Sequence, residues 1–191
     1  MIDKISEKLT DYFVKERIIR PEEISVYQYG FDITIYTLLS TAGLILLGAV
    51  LGYFMKTVIL VLGVYLFQTI GGGYHANSHI RCFASMAFGL CCGLLLLQIA
   101  IDYKTLAILS VIPFGILMIK PLVLHKNKQY LREKSESFQK LSKIITLLFF
   151  GVEECMCVID KEIGKGLFTV MLLSSISRIA GLIEERKHNE K

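Results

Sequence analysis

Beyond the first thirty residues the chain is dominated by long apolar runs instead of the alternating pattern of a half-buried strand. Six can be traced, over residues 31–54, 57–70, 83–101, 106–119, 144–159 and 167–183. A hydrocarbon core of about 30 Å asks for about 20 mostly apolar helical residues per crossing, so each run predicts a membrane-spanning helix. The second run is short for a crossing unless the three glycines at 71–73 extend it, and the fourth contains Pro113 as an expected kink. Ahead of the runs, Ile2, Ile5, Leu9, Tyr12, Phe13 and Ile19 recur at near-helical spacing with Lys4, Lys8, Lys15 and Arg17 between them. That pattern predicts a basic amphipathic helix over 2–19, lying at the membrane interface. Pro21, followed by Glu22 and Glu23, marks a second helix start.

Composition agrees with this reading. Hydrophobic residues make up 53% of the 191, and the mean hydropathy is +0.55. Soluble domains hold about 45–50% apolar residues, dispersed by period instead of gathered into runs. The expected fold is therefore all-α and polytopic, one membrane domain over 1–191. In it, 1–30 form a cytoplasmic or interfacial segment, 31–183 hold the crossings, and 184–191 form a cytoplasmic tail. Residues 1–20 are charged and lack the apolar core of a secretion signal.

The placement of basic residues fixes an orientation. With six crossings, 17 Lys and Arg fall on one side: the N-terminal segment, Arg81, the 120–143 connection and the C-terminal end. Only Lys56, Lys104, Lys161 and Lys165 fall on the other. The basic side is the cytoplasmic one, which puts both termini and the polar stretch around His75 and Cys82 inside the cell. A re-entrant second run would break this parity.

The chemistry concentrates in residues 71–82, Gly-Gly-Gly-Tyr-His-Ala-Asn-Ser-His-Ile-Arg-Cys. The glycines permit backbone conformations that other residues resist, so an irregular segment could sit at membrane depth, buried in protein. Of five cysteines, Cys91, Cys92, Cys155 and Cys157 lie within apolar runs, and Cys82 alone has polar neighbours. A nucleophilic thiol needs a base and a group to orient that base. His79, three residues before Cys82, would share a helical face with it. His75, seven before, would lie about 10 Å away along a straight helix and serves only if the chain bends. An ordinary connecting loop with interfacial histidines explains the same residues. Metal binding by His75, His79 and Cys82 lacks an evident fourth ligand.

The Gly-Gly-Tyr-His-Ala pattern, followed by Arg81-Cys82 with six residues between His75 and Cys82, resembles the accessory gene regulator B family. These are membrane cysteine endopeptidases of Gram-positive peptide quorum sensing. The likeness extends to Tyr29-Gly30 before the first crossing and to Asn127-Lys128 in the basic connection after Pro121. The resemblance implies cleavage on the C-terminal side of a short precursor peptide of the AgrD type, then cyclisation to a thiolactone or lactone. It makes Cys82 the nucleophile and His75, not His79, the base. It also puts Asp32, where the family often has Glu or Gln, in the place of an acid that orients the imidazole. Arg81 could favour the thiolate, or simply anchor the helix on the cytoplasmic side. No cofactor, metal or nucleic-acid partner is expected; membrane lipids, the precursor and a homodimer partner are.

Glu153 and Glu154 in the fifth run and Arg178 in the sixth are intramembrane ionisable residues, and so functional candidates by default. The glutamates could pair with Arg178, although the depths expected of them differ, or line a peptide path or a dimer contact, or serve the alternative reading of a small transporter or peptide exporter. A non-enzymatic membrane sensor is a third reading.

Overall fold

A computed structural model describes residues 2–74, 78–123 and 135–189. Among these, seven α-helices and one short 3-10 turn account for the regular structure, and no strand is present. The helices are α1 (Ile2–Lys15), α2 (Ile24–Val50), α3 (Phe54–Gly71), α4 (His79–Leu96), α5 (Tyr103–Ile119), α6 (Ser135–Ile159) and α7 (Lys161–Asn189). The all-α membrane architecture read from the apolar runs is the one observed. α2, α3, α4 and the Lys161–Arg186 part of α7 are long and apolar enough to cross a membrane. α5, with 17 residues, is apolar but shorter, and α6 carries Lys143, Glu153 and Glu154 among its 25.

The chain divides into two compact units, Met1–Leu47 and Gly48–Lys191. In the first, α1 packs on the start of α2 through Phe13 and Phe31, whose rings stack at 5.5 Å. α1 stops at Lys15, short of the expected Ile19. Arg17 takes a left-handed φ of 57°, while Arg17 N donates to the Val14 carbonyl and Ile18 N to the Phe13 carbonyl. That is the Schellman closure, with arginine where glycine is usual, and it ends the helix despite the apolar periodicity. Ser6 and Thr10 are buried, and their hydroxyls bond back to the carbonyls of Asp3 and Ser6. Ile5, Leu9 and Tyr12 are exposed. After α1, Pro21–Glu23 form the 3-10 turn that feeds α2, as the proline and paired glutamates predict.

In the second unit, α7 is the central helix. It packs against α6, α5, α3 and α4, and half of its most apolar stretch is buried, against 17–28% for the other three long apolar helices. Phe67 of α3 meets Phe149 of α6 edge-on at 5.1 Å, and Phe114 of α5 stacks on Phe150 at 4.3 Å. Several hydroxyls inside the helices satisfy themselves locally, while the buried Thr57 and Ser174 hydroxyls have no partner among the described residues. Thr69, Ser85, Thr146, Thr169 and Ser175 each donate to a carbonyl three or four residues back, as an apolar surrounding requires.

Helix ends follow capping chemistry more closely than hydropathy. α4 begins at His79, ahead of the apolar run, because Ser78 accepts a hydrogen bond from Arg81 N. Asp102 caps α5 by accepting from Thr105 N at 3.0 Å, and that amide holds the Asp102 carboxyl below its ordinary range. Asp160 accepts from Glu162 N and Ile163 N and so starts α7 one residue after α6 ends. α5 runs unbroken through Pro113, which is fully buried.

Candidate active site

The segment singled out by sequence lies where α3 ends and α4 begins. α3 takes in Gly71 and stops, as Gly72 N donates to the Gln68 carbonyl and the backbone turns to φ 70°, ψ −175°. This region of backbone space is open to glycine almost alone. Space adds a second constraint: a Cβ on Gly72 would stand 2.5 Å from the Val123 carbonyl oxygen. Gly72→Ala is therefore expected to lower stability by about 1–3 kcal/mol from the backbone conformation alone, with the collision added. Thermal unfolding of the detergent-solubilised protein checks this.

The turn is held from two distant parts of the chain. Val123 N donates to the Gly71 carbonyl at 2.9 Å. Tyr74 N donates to the Ser177 carbonyl at 3.0 Å and to Ser177 Oγ at 3.2 Å, and Gln68 Nε2 reaches the same hydroxyl at 3.2 Å. Gly181, one turn further along α7, leaves room for the Gly73 carbonyl, which lies 2.9 Å from where a Cβ would be. Arg178, 1% exposed, donates through Nη1 to the Lys120 carbonyl at 2.9 Å and lies against the α-carbon of Gly71.

Of the expected catalytic residues, Cys82 sits in α4 one turn past its cap, buried at 5% exposure, with its N–H on the Ser78 carbonyl. His79 and Arg81 occupy the first turn of the same helix and are exposed, Arg81 N completing the cap. His79 and Cys82 are thus on one continuous helix, three residues apart, as the spacing predicts. Asp32 lies on α2 in the N-terminal unit. His75 lies outside the described residues, as do Asn127 and Lys128.

The acidic pair of α6 does not meet Arg178. Glu154 accepts a 2.7 Å hydrogen bond from Ser110 of α5, and the Cys157 thiol lies 3.6 Å from Glu153 Oε1. Among the described residues no ion pair joins either glutamate to Arg178, which turns instead to a backbone carbonyl. Sequence reasoning had no hold on Gln68, Ser177 and Val123 as partners of the glycine turn. Its one available signal was the polar run Ser174, Ser175, Ser177 and Arg178 within an otherwise apolar helix.

These features define an all-helical, polytopic membrane protein with a cysteine at the head of a helix, behind a clamped glycine turn. The sequence profile of the family described as accessory gene regulator B matches residues 6–178, nearly the whole chain. The chain belongs to that family. It is 26% identical over 80 residues to the AgrB-like protein 1 of Clostridium perfringens (strain 13 / Type A), an alignment covering 42% of this chain. The chain spans only 43% of the length of that curated relative. No solved structure matches the chain.

Proposed function

We propose that the protein is a membrane cysteine endopeptidase that removes the C-terminal part of a short autoinducer propeptide and supports cyclisation of the rest. The observation that carries this reading is the family match, which spans the glycine turn and Cys82 together. In the proposed reaction His75 takes the thiol proton and Cys82 Sγ attacks the scissile carbonyl carbon. The carbon–nitrogen bond then breaks as His75 returns the proton to the departing amine, leaving a thioester on Cys82. A cysteine or serine within the peptide attacks that thioester, forms the ring and releases Cys82.

Water competes with the internal nucleophile for the thioester, so shielding favours cyclisation over hydrolysis. The burial of Cys82 at 5% exposure fits this shielding. Asp32 would orient the base, and Arg81 would add positive charge beside the thiol. The 17-to-4 asymmetry of basic residues supports six crossings within one membrane domain, with both termini and the site on the cytoplasmic side. The exposed Ile5, Leu9 and Tyr12 of α1, interleaved with lysines, suit an interfacial lipid contact.

Trapping the acyl-enzyme tests the reaction. Vesicles holding the protein, incubated with the precursor and quenched in acid, should give a peptide adduct on Cys82 that hydroxylamine removes. A cleaved precursor with no such adduct rules out the thioester route.

One observation keeps a transporter reading in view: Glu153 is fully buried, and its Oε2 has no hydrogen-bond partner among the described residues. Glu153→Gln separates the readings, since transport through this group would fail while cleavage persists.

A further inference from the structure

A buried guanidinium needs compensation, and Arg178 has no carboxylate beside it among the described residues. What surrounds it is the C-terminal end of two helices. Gly71, the last residue of α3, lies against the guanidinium, and Lys120, just past the end of α5, accepts from its Nη1. The last carbonyls of a helix carry roughly half a negative charge in sum, so two converging ends offer one cation what a carboxylate would. The next residue of α7 toward its start, Ser177, holds Tyr74 N, and Val123, three residues past Lys120, holds the Gly71 carbonyl.

We infer that Arg178 is a positioning residue for the site. Its guanidinium, set between the ends of α3 and α5, fixes the glycine turn over Gly71–Tyr74 that precedes α4 in the chain. The inference rests on the peptidase reading for its consequence, though the geometry of the turn does not depend on it. The guanidinium acts through backbone, so its loss should misplace the catalytic groups without removing any of them. A misplacement of about 1 Å remote from the chemistry can cost about 100-fold in rate.

Arg178→Met is expected to lower kcat for precursor cleavage about 10- to 100-fold while KM stays within about twofold. Gly71→Ala should do likewise, because its methyl group would occupy the place of Nη2. Arg178→Lys lacks the branched head and clears that space. The double variant Gly71→Ala/Arg178→Lys should therefore be no slower than Arg178→Lys alone, the non-additivity expected of groups in contact. Multiplying effects would overturn the inference.

Two readouts are independent of activity. Tyr74→Cys and Ser177→Cys should cross-link in the parent chain, and the yield should fall when Arg178→Met is added. An unchanged yield refutes the clamp. Cys157, 2% exposed, should stay protected from a membrane-permeant alkylating reagent in Arg178→Met. If it becomes reactive, Arg178 supports the whole bundle and not the turn, and the inference fails. Should Cys82→Ala leave cleavage intact, the peptidase reading falls, while the cross-link still reports on Arg178.

Discussion

Cys82→Ala is expected to abolish cleavage of a co-expressed precursor, by about ten-thousand-fold or more when measured in membrane vesicles. The magnitude follows from the role. A nucleophile that forms the covalent intermediate has no substitute when its sulfur is removed, and what persists comes from binding alone. The change is also a mild one structurally. Cys82 is buried at 5% exposure, but its backbone amide, bonded to the Ser78 carbonyl, is unaffected by loss of the sulfur, and alanine favours the helix. The exposed Cys92 and Cys155 provide the comparison: Cys92→Ala and Cys155→Ala should cleave at the parental rate. Full cleavage by Cys82→Ala would end the peptidase reading.

How far such a site can be read from sequence depends on the range of the forces that build it. The helices themselves were legible, since a run of apolar residues has few other solutions in a membrane. Their ends were less so. The apolar run predicted the third crossing over 83–101, whereas α4 starts at His79 and stops at Leu96. Ser78 supplies the cap that lets polar residues join the first turn, and hydropathy does not register a cap. α6 is likewise already helical at Ser135, nine residues ahead of its apolar run. Arg17 closes α1 early because a left-handed residue can end a helix without a glycine.

The break at Gly71–Gly73 was visible because three adjacent glycines have a local meaning. Its partners were not, because Gln68 and Ser177 are separated by 109 residues and Arg178 and Lys120 by 58. Nor does composition reveal that the last helix is central, which arises from contacts with four others. Pairing of Glu153 and Glu154 with Arg178 is one of several readings of the sequence, weakened by the different depths expected of them. In the structure a serine hydroxyl and a thiol take up the glutamates, and the Lys120 carbonyl at the end of α5 accepts from the arginine. Backbone dipoles compete with side-chain charges for a buried guanidinium, and a pattern of residue types does not show where those dipoles point.

The choice between the two histidines carries the second large effect. His79→Ala is expected to leave cleavage within about tenfold of the parent, and His75→Ala to lower it about a hundred- to ten-thousand-fold, the range general-base catalysis contributes. Spacing favours His79, which shares α4 with Cys82 at a separation of three residues. Yet its side chain is exposed at the first helical position, while the thiol is buried. His75 follows directly on Tyr74, whose amide is tied to Ser177. The assignment of His75 as base rests on the family pattern, in which six residues separate it from Cys82. If His79→Ala alone loses activity, the roles are reversed: His79 is the base, and the His-x6-Cys spacing does not define this active site.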